Sequence, residues 1–270
     1  MTAWALIGKI IRGEMTSIQF LTRLSLPRLA YHKISGRNPG VVFLSGFKSD
    51  MNAVKALAME EFCRSAGHSF VRFDYTGCGS SEGDSEDCKL GDWKNDVLTV
   101  LDTLTTGPQV LVGSSMGGWL MLLAALAKPE RVAGLVGIAT AADHFVTVLN
   151  QLPSEARADI ERTGKYNMPS KYSASGFYTM RYNFIKESEE HCLLQSSINI
   201  LCPVRLLHGM KDDVVPWHVS VKVAEQFVSN DVDIILRKSA EHRFSEDEDI
   251  KLLTTVVSEL LQKLTEKDLK

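Results

Sequence analysis

The stretch Gln109-Val110-Leu111-Val112-Gly113-Ser114-Ser115-Met116-Gly117-Gly118-Trp119-Leu120-Met121-Leu122-Leu123 decides the fold. Its first, β-branched apolar run reads as a buried strand. A glycine-flanked serine pair follows, and a second apolar run then continues to Lys128, where Pro129 stops it. In order, this is strand, sharp turn, helix. The pattern G-x-S-x-G at 113–117 in that context predicts a nucleophile elbow. Side chains at the flanking glycines would clash as the helix doubles back over the strand. The same turn projects the Ser115 hydroxyl toward the positive end of the helix. Ser114, one position off centre, is expected to point elsewhere.

A second segment fits the same pattern. Gly79-Ser80-Ser81-Glu82-Gly83 also follows a strand, but Asp84-Ser85-Glu86-Asp87 comes next, acidic and without an apolar helical stripe. It overlaps Gly77-Cys78-Gly79-Ser80-Ser81-Glu82, which looks like a dinucleotide fingerprint except that its sixth position is glutamate and no helix opens there. Both are read as a turn after a strand.

Outward from the elbow, strands at 41–44, 69–73, 109–112, 132–138, 204–207 and 231–237 alternate with helices at 51–66, 93–104, 119–128 and 250–264. Such alternation predicts an α/β fold with a mostly parallel central sheet and helices on both faces. The rhythm breaks between 139 and 204. There about sixty residues hold three helical patterns, 143–149, 154–163 and 183–192, separated by Pro153, Pro169 and Gly176; a segment this long in a compact domain reads as a lid. The expected organisation is a core of 21–142 and 196–270, a helical cap inserted at 143–195, and an N-terminal arm or residual targeting segment at 1–20. The first eighteen residues carry Lys9 and Arg12 before their only acid, Glu14, as a transit peptide would.

Composition narrows the function classes. The chain has 270 residues, a net charge of −3 and 44% hydrophobic residues, so collagenous, disordered and disulfide-scaffold classes are excluded. A pI near 6.2 gives no basic footprint for a nucleic-acid partner. The longest uncharged apolar stretch, 109–127, is interrupted by serines and glycines, so no stable membrane insertion is expected. The five cysteines, Cys63, Cys78, Cys88, Cys192 and Cys202, form no C-x-x-C pair and fit a reducing compartment. No H-E-x-x-H, EF-hand or P-loop spacing occurs, so neither a metal nor a cofactor is expected.

A serine hydroxyl becomes a nucleophile only beside a base that is itself oriented by an acid. Where a G-x-S-x-G elbow carries the serine, the acid and then the histidine follow it in the chain. Asp212 and Asp213, just after the strand at 204–207, are the candidate acids. Seven histidines compete for the role of base. His32 and His68 precede the serine and read as edge or surface residues. His144 and His191 fall in the cap. His208 and His218 flank the acid segment, His208 as a structural residue of its strand. His242 alone follows the last strand, through the loop 238–241, and is the expected base. A tetrahedral oxyanion needs two backbone donors. The Met116 N–H, directly after the nucleophile, is one; the Phe47 N–H, after Leu44-Ser45-Gly46, is the candidate for the other. In the cap, Phe145, Val148, Leu149, Phe177, Tyr178, Met180, Tyr182 and Phe184 are candidate walls of an acyl channel, and Arg181 or Lys171 a candidate cation for a charged substrate.

Together the elbow GSSMGGWL at 113–120 and the acid segment VRLLHGMKDDVVPW at 204–217 resemble the α/β-hydrolases. With GIATAADH at 137–144 and FIKE at 184–187, the chain from about Leu24 to Leu264 is similar to a mitochondrial branch of that family described as palmitoyl-protein thioesterases and acyl-glucuronide esterases. The resemblance implies Ser115, Asp212 and His242 as the triad, since the spacing H-G-x-x-D-x-x-V-P puts Asp212 at the family's acid position. It further implies S-acylated proteins and small acyl esters as substrates, and a mitochondrial location, with a cytoplasmic one as the alternative. One departure stands out: the superfamily's common His-Gly before the oxyanion loop is Ser45-Gly46 here. Two competing readings remain, a peptidase or general carboxylesterase with the same triad, and a hydrolase-fold binding module without turnover.

Overall fold

The computed structural model describes residues 17–267; most of the expected N-terminal arm lies outside them. Ten strands run in chain order: β1 (Gln19–Arg23), β2 (Leu26–Ile34), β3 (Arg37–Leu44), β4 (His68–Phe73), β5 (Gln109–Ser114), β6 (Val132–Ile138), β7 (Lys165–Pro169), β8 (Phe177–Arg181), β9 (Val204–Gly209) and β10 (Val232–Arg237). The helices are α1 (Val54–Ala66), α2 (Leu90–Leu104), α3 (Met116–Ala127), α4 (His144–Gln151), α5 (Ser154–Thr163), α6 (Tyr182–Ser188), α7 (His218–Gln226) and α8 (Asp247–Lys267).

Eight strands form one sheet in the order β1-β2-β4-β3-β5-β6-β9-β10. From β4 to β10 every neighbouring pair is parallel, while β2 pairs antiparallel with both β4 and β1. The parallel strands are apolar on both sides because both sides are covered. Val41, Phe43, Val110 and Val112 pack toward α1 and α8, with Met59, Cys63, Leu253 and Val257. The alternate residues Val42, Leu44 and Leu111 pack toward α2 and α3, with Val97, Trp119 and Leu122.

Sheet order reverses at β3: the chain steps from β3 to β4 on one side and later to β5 on the other. In open α/β sheets the crevice outside the carboxyl ends of strands at such a switch is where ligands bind. The loop after β3 and the turn after β5 both open there.

The sequence expectation holds for the parallel strands and the helices that cover them. The structure adds elements that were not expected. Arg23–Ile34 and its lead-in form the β1–β2 hairpin on the sheet edge, tied down where Arg23 donates to Asp96, Thr76 and the Pro27 carbonyl. The segment between β6 and β9 contains α4, α5 and α6 as anticipated, and also a two-stranded antiparallel sheet, β7–β8. Two acids fix that segment. The Asp143 carboxylate accepts from the Leu193 and Leu194 N–H groups and so ties the segment's two ends together, while the Glu187 carboxylate joins it to the body by accepting from the Leu90 and Gly91 N–H groups that open α2. No helix among the described residues is long and apolar enough to cross a membrane.

Candidate active site

Ser115 sits between β5 and α3 with φ 56° and ψ −119°, a left-handed-side backbone that an L residue adopts only under strain. The surrounding chain fixes it there. Its N–H donates to the Ile138 carbonyl at 2.8 Å, and its own carbonyl accepts from Gly118 and Ala141. The flanking glycines are steric necessities. A Cβ on Gly117 would lie 2.1 Å from the Leu44 carbonyl oxygen, and one on Gly113 would lie 2.4 Å from the Gly117 carbonyl oxygen. Ser114 is buried at the end of β5 and borders the same cavity, but His242 bonds the Ser115 hydroxyl.

Three side chains from separate loops meet at this turn. The Ser115 hydroxyl lies 3.1 Å from His242 Nε2, and His242 Nδ1 lies 2.7 Å from Asp212 Oδ2. Nδ1 faces a carboxylate and so carries the hydrogen, leaving Nε2 to accept from the hydroxyl. Asp212 has no exposed side-chain surface, and its other oxygen accepts from the Val214 and Val215 N–H groups at 2.9 and 2.8 Å. Burial alone would push its carboxyl up. Hydrogen bonds from His208, His242 and Val215, with the nearby His242 charge, outweigh burial and hold it well below the ordinary carboxylate range. Asp213 points outward instead and pairs with Lys171 at 3.1 Å.

The expected oxyanion donors also face this point. A Cβ on Gly46 would lie 3.3 Å from Ser115 Cβ, which places the loop after β3 directly over the serine. Among the described residues, the N–H groups of Phe47 and Met116 donate to no protein acceptor. The loop is held from several sides: Tyr75 donates its hydroxyl to the Ser45 carbonyl, Ser45 donates to the Asp50 carbonyl, and Met51 N–H donates to Asp74 at 2.7 Å. Arg72, paired with Glu60, donates to the Met51 carbonyl and to Asn52. Ser45 therefore closes this loop on itself where the superfamily commonly has histidine.

The site opens into a cavity of about 800 Å³. Its apolar part is walled by Phe47, Phe145, Val148, Tyr166, Met168 and Tyr178. Of the expected channel residues, Phe145, Val148 and Tyr178 line it, whereas Leu149, Met180 and Phe184 are packed into the core and Phe177 is partly exposed. Lys48, Lys55 and Arg243 also line it. Burial pushes the Lys55 ammonium down to about 8, with Arg243 adding to the shift. Both expected cations are already engaged: Lys171 with Asp213 and Glu241, Arg181 with Asp87 and Glu86. Lys48, Lys55 and His144 were missed by sequence reasoning, because nothing in their local pattern distinguishes them from other polar residues. His144 lines the cavity, and burial with the His242 charge pushes its imidazole down to about 4.

Two other histidines correct the sequence reading. His32 and His68 are buried, not surface residues. His68 bridges the Pro39 carbonyl and the Arg37 guanidinium, bonds no local pattern reveals. No group of side chains fit to hold a metal is found among the described residues.

Residues 39–181 match the family model described as the alpha/beta hydrolase fold. The chain is 56% identical over 252 residues to human mitochondrial palmitoyl-protein thioesterase ABHD10, covering 93% of this chain and 82% of that protein. The chain belongs to the α/β-hydrolase family. Rat ABHD10 is 53% identical across 93% of this chain and 85% of its own length. The solved structure of mouse alpha/beta hydrolase domain-containing protein 10 superposes with a TM-score of 0.89 at 53% identity, covering 92% of this chain and all of that one. Within the α/β-hydrolases, these relatives set the chain's resemblance in the ABHD10 branch.

Proposed function

We propose that this chain is a serine hydrolase that cleaves acyl thioesters and esters, with S-palmitoylated proteins and acyl-glucuronides as its substrates, in mitochondria. One observation carries the reading: a hydroxyl, an imidazole and a buried carboxylate lie in hydrogen-bonded line beneath two unengaged backbone N–H groups, at the mouth of a largely apolar cavity.

In the reaction, Ser115 Oγ attacks the acyl carbonyl carbon while His242 Nε2 takes its proton. The carbonyl oxygen gains the charge and accepts from the Phe47 and Met116 N–H groups, each worth roughly 3 kcal/mol in the transition state. Collapse breaks the bond to the leaving thiolate or alkoxide, which receives the proton from His242. Water then attacks the acyl-enzyme with His242 again as base, releasing the carboxylic acid and restoring Ser115. Asp212 keeps the imidazole in the correct tautomer and orientation throughout.

Substrate class rests on the cavity and the relatives. The wall of Phe47, Phe145, Val148, Tyr166, Met168 and Tyr178 suits an aliphatic acyl chain, and the 143–195 segment that supplies most of it serves as the cap. The cations Lys48, Lys55 and Arg243 on the same lining suit an anionic leaving group such as a glucuronide. The ABHD10 proteins are named palmitoyl-protein thioesterases and mitochondrial; no relative's name supports the cytoplasmic alternative.

The test is covalent labelling with a fluorophosphonate followed by rates on matched S-acyl and O-acyl substrates. Labelling at Ser115, absent in Ser115→Ala, is expected. A folded chain that stays unlabelled and turns nothing over would leave the binding-module reading in its place.

A further inference from the structure

The acid of this site serves two histidines. His208, on β9, is fully buried. Its Nε2 lies 3.0 Å from Asp212 Oδ2 and 2.9 Å from the Val215 carbonyl oxygen, and its Nδ1 lies 2.8 Å from the Ser220 hydroxyl on α7. Nε2 faces two acceptors and so must carry a hydrogen. Nδ1 faces a hydroxyl that can donate to it. A neutral imidazole protonated on Nε2 satisfies all three contacts at once, without burying a further charge.

We propose that His208 is a positioning residue: as a neutral Nε2–H imidazole it clamps Asp212 Oδ2 in line with His242, so that the end of β9 supplies the group that orients the acid on the turn directly after it. The inference rests on the serine-hydrolase reading above.

The geometry leaves Asp212 little freedom. Oδ1 is held by the Val214 and Val215 N–H groups, and Oδ2 by His242 and His208. With His208 removed, Oδ2 keeps one partner, and that partner is the group whose aim it must set. Three titratable side chains face the carboxylate: His208 from β9, His242 from the loop before α8, and His144 from α4, which stays neutral near pH 7. Asp213 is turned toward Lys171, and Arg205, lower on β9, is engaged by Asp231 and Asp233.

Loss of the His208 bond would also alter protonation. Asp212 and His242 share a hydrogen bond through Oδ2, so they act on protons as one unit. A donor on Oδ2 lowers the proton affinity of that unit, so removing the donor raises it. The acid limb of the kcat/KM profile would then move to higher pH.

The experiment compares wild type, His208→Gln and His208→Asn on one thioester substrate across pH, each checked for its thermal midpoint. Glutamine sets its amide nitrogen near the position of Nε2 and can donate to both Asp212 and Val215; asparagine is too short. For His208→Asn we expect kcat to fall about tenfold or more with KM little changed, and the acid limb to rise by about one pH unit. His208→Gln should recover most of both. An unmoved limb in His208→Asn, or no recovery in His208→Gln, overturns the proposal. Should the asparagine variant not fold, imidazole ¹⁵N spectra of the wild type decide: a neutral Nε2–H ring between pH 5 and 8 supports it, and an Nδ1–H or charged ring overturns it. Turnover persisting in Ser115→Ala would sink the serine-hydrolase reading itself, an outcome separable from an unmoved profile in an otherwise serine-dependent enzyme.

Discussion

Two five-residue stretches in this chain, 79–83 and 113–117, share one pattern and meet opposite fates. In the first, Ser81 spends its hydroxyl on structure: it donates to the Asp74 carbonyl at 2.6 Å and accepts from the Ala30 N–H at 2.8 Å. In the second, Ser115 bonds through its hydroxyl to His242 and lines the cavity. The glycines differ in the same way. Gly79 lets the Asp74 carboxylate approach, whereas Gly113 and Gly117 let a helix cross a strand. Each stretch also depends on a buried aspartate, and these too diverge. Asp74 accepts from Ser80 N–H and from Met51 N–H, so the first stretch and the oxyanion loop hang on one carboxylate. What separates the two serines here is therefore the set of partners each hydroxyl has, and the pattern alone carries none of that.

The sharpest way to break the comparison is to delete both hydroxyls. Ser115→Ala is expected to lower turnover by about four to six orders of magnitude, while its thermal midpoint stays close to wild type. Ser81→Ala should do the reverse. It leaves the Ala30 N–H without its partner at a cost of about 1–3 kcal/mol, with turnover within a few-fold. Steady-state rates and thermal unfolding on both variants measure this. If Ser81→Ala proved as inactive as Ser115→Ala while folded, the division of labour would be wrong.

The aspartates offer the next test, and their pH dependences have opposite signs. Asp212→Asn should lower kcat by about three to four orders of magnitude, through the wrong imidazole tautomer. Asp212 is held below its ordinary 3.8, so it contributes stability that is present above that value and is lost as pH falls below it. The advantage of wild type over Asp212→Asn should therefore grow as pH rises through the region just below 3.8. Asp74 is shifted the other way: burial raises its carboxyl, against the bonds from Ser80 and Met51. Its contribution is complete below 3.8 and fades as pH rises through its higher folded value. Wild type should lose ground to Asp74→Asn over that rise. Denaturant titrations at several pH values read both slopes, and slopes of the same sign would overturn the assignment.

How far the sequence reveals all this follows from the same contrast. The elbow and the parallel strands were legible because their signals are local: an apolar run, glycines at fixed offsets, a helix start. His242 was singled out because chain order restricts what can reach the serine; the same order left Asp212 and Asp213 both open, and only the resemblance of the H-G-x-x-D-x-x-V-P spacing to the family's acid position pointed to Asp212. The missed elements have weak stripes. β7 and β8 each bury a single methionine, Met168 and Met180, so five-residue alternation among polar residues left no clear period. α7 buries only Ser220 and Val223. On β2, Pro27 and Arg28 obscure a strand whose buried residues are Leu29, Ala30 and His32. The tight roles of His68 and Asp74 rest on backbone groups or on partners distant in the chain, and no spacing announces those.

A smaller effect sharpens what the oxyanion loop does beyond offering an N–H. The Phe47 ring packs against Phe145 at 5.5 Å and Tyr178 at 5.9 Å, and it stands between the main cavity and a small void behind it lined by Cys88, Trp93 and Phe184. Phe47→Ala keeps the backbone donor and joins the two spaces. The ratio of kcat/KM for long over short acyl chains should rise about tenfold, consistent with one to two buried methylenes' worth of new contact. A uniform loss across all chain lengths would mean instead that the ring fixes the donor and not the depth.

The least effect is expected from the outermost bonds. Lys171, from the segment after β7, bridges Asp213 at 3.1 Å and Glu241 at 3.0 Å, the immediate neighbours of Asp212 and His242. It looks like a brace across both loops. Yet all three side chains are roughly half exposed, and such pairs contribute little once solvent and salt screen them. The loops are fixed from beneath instead, by Val214 and Val215 N–H on Asp212 and by Lys211 N–H on the Ala240 carbonyl. Lys171→Met should therefore change kcat/KM by no more than about threefold, and raising the salt concentration should shrink even that difference. A hundredfold loss at low salt would place the alignment of Asp212 and His242 under the control of the surface, and the buried bonds would no longer account for it.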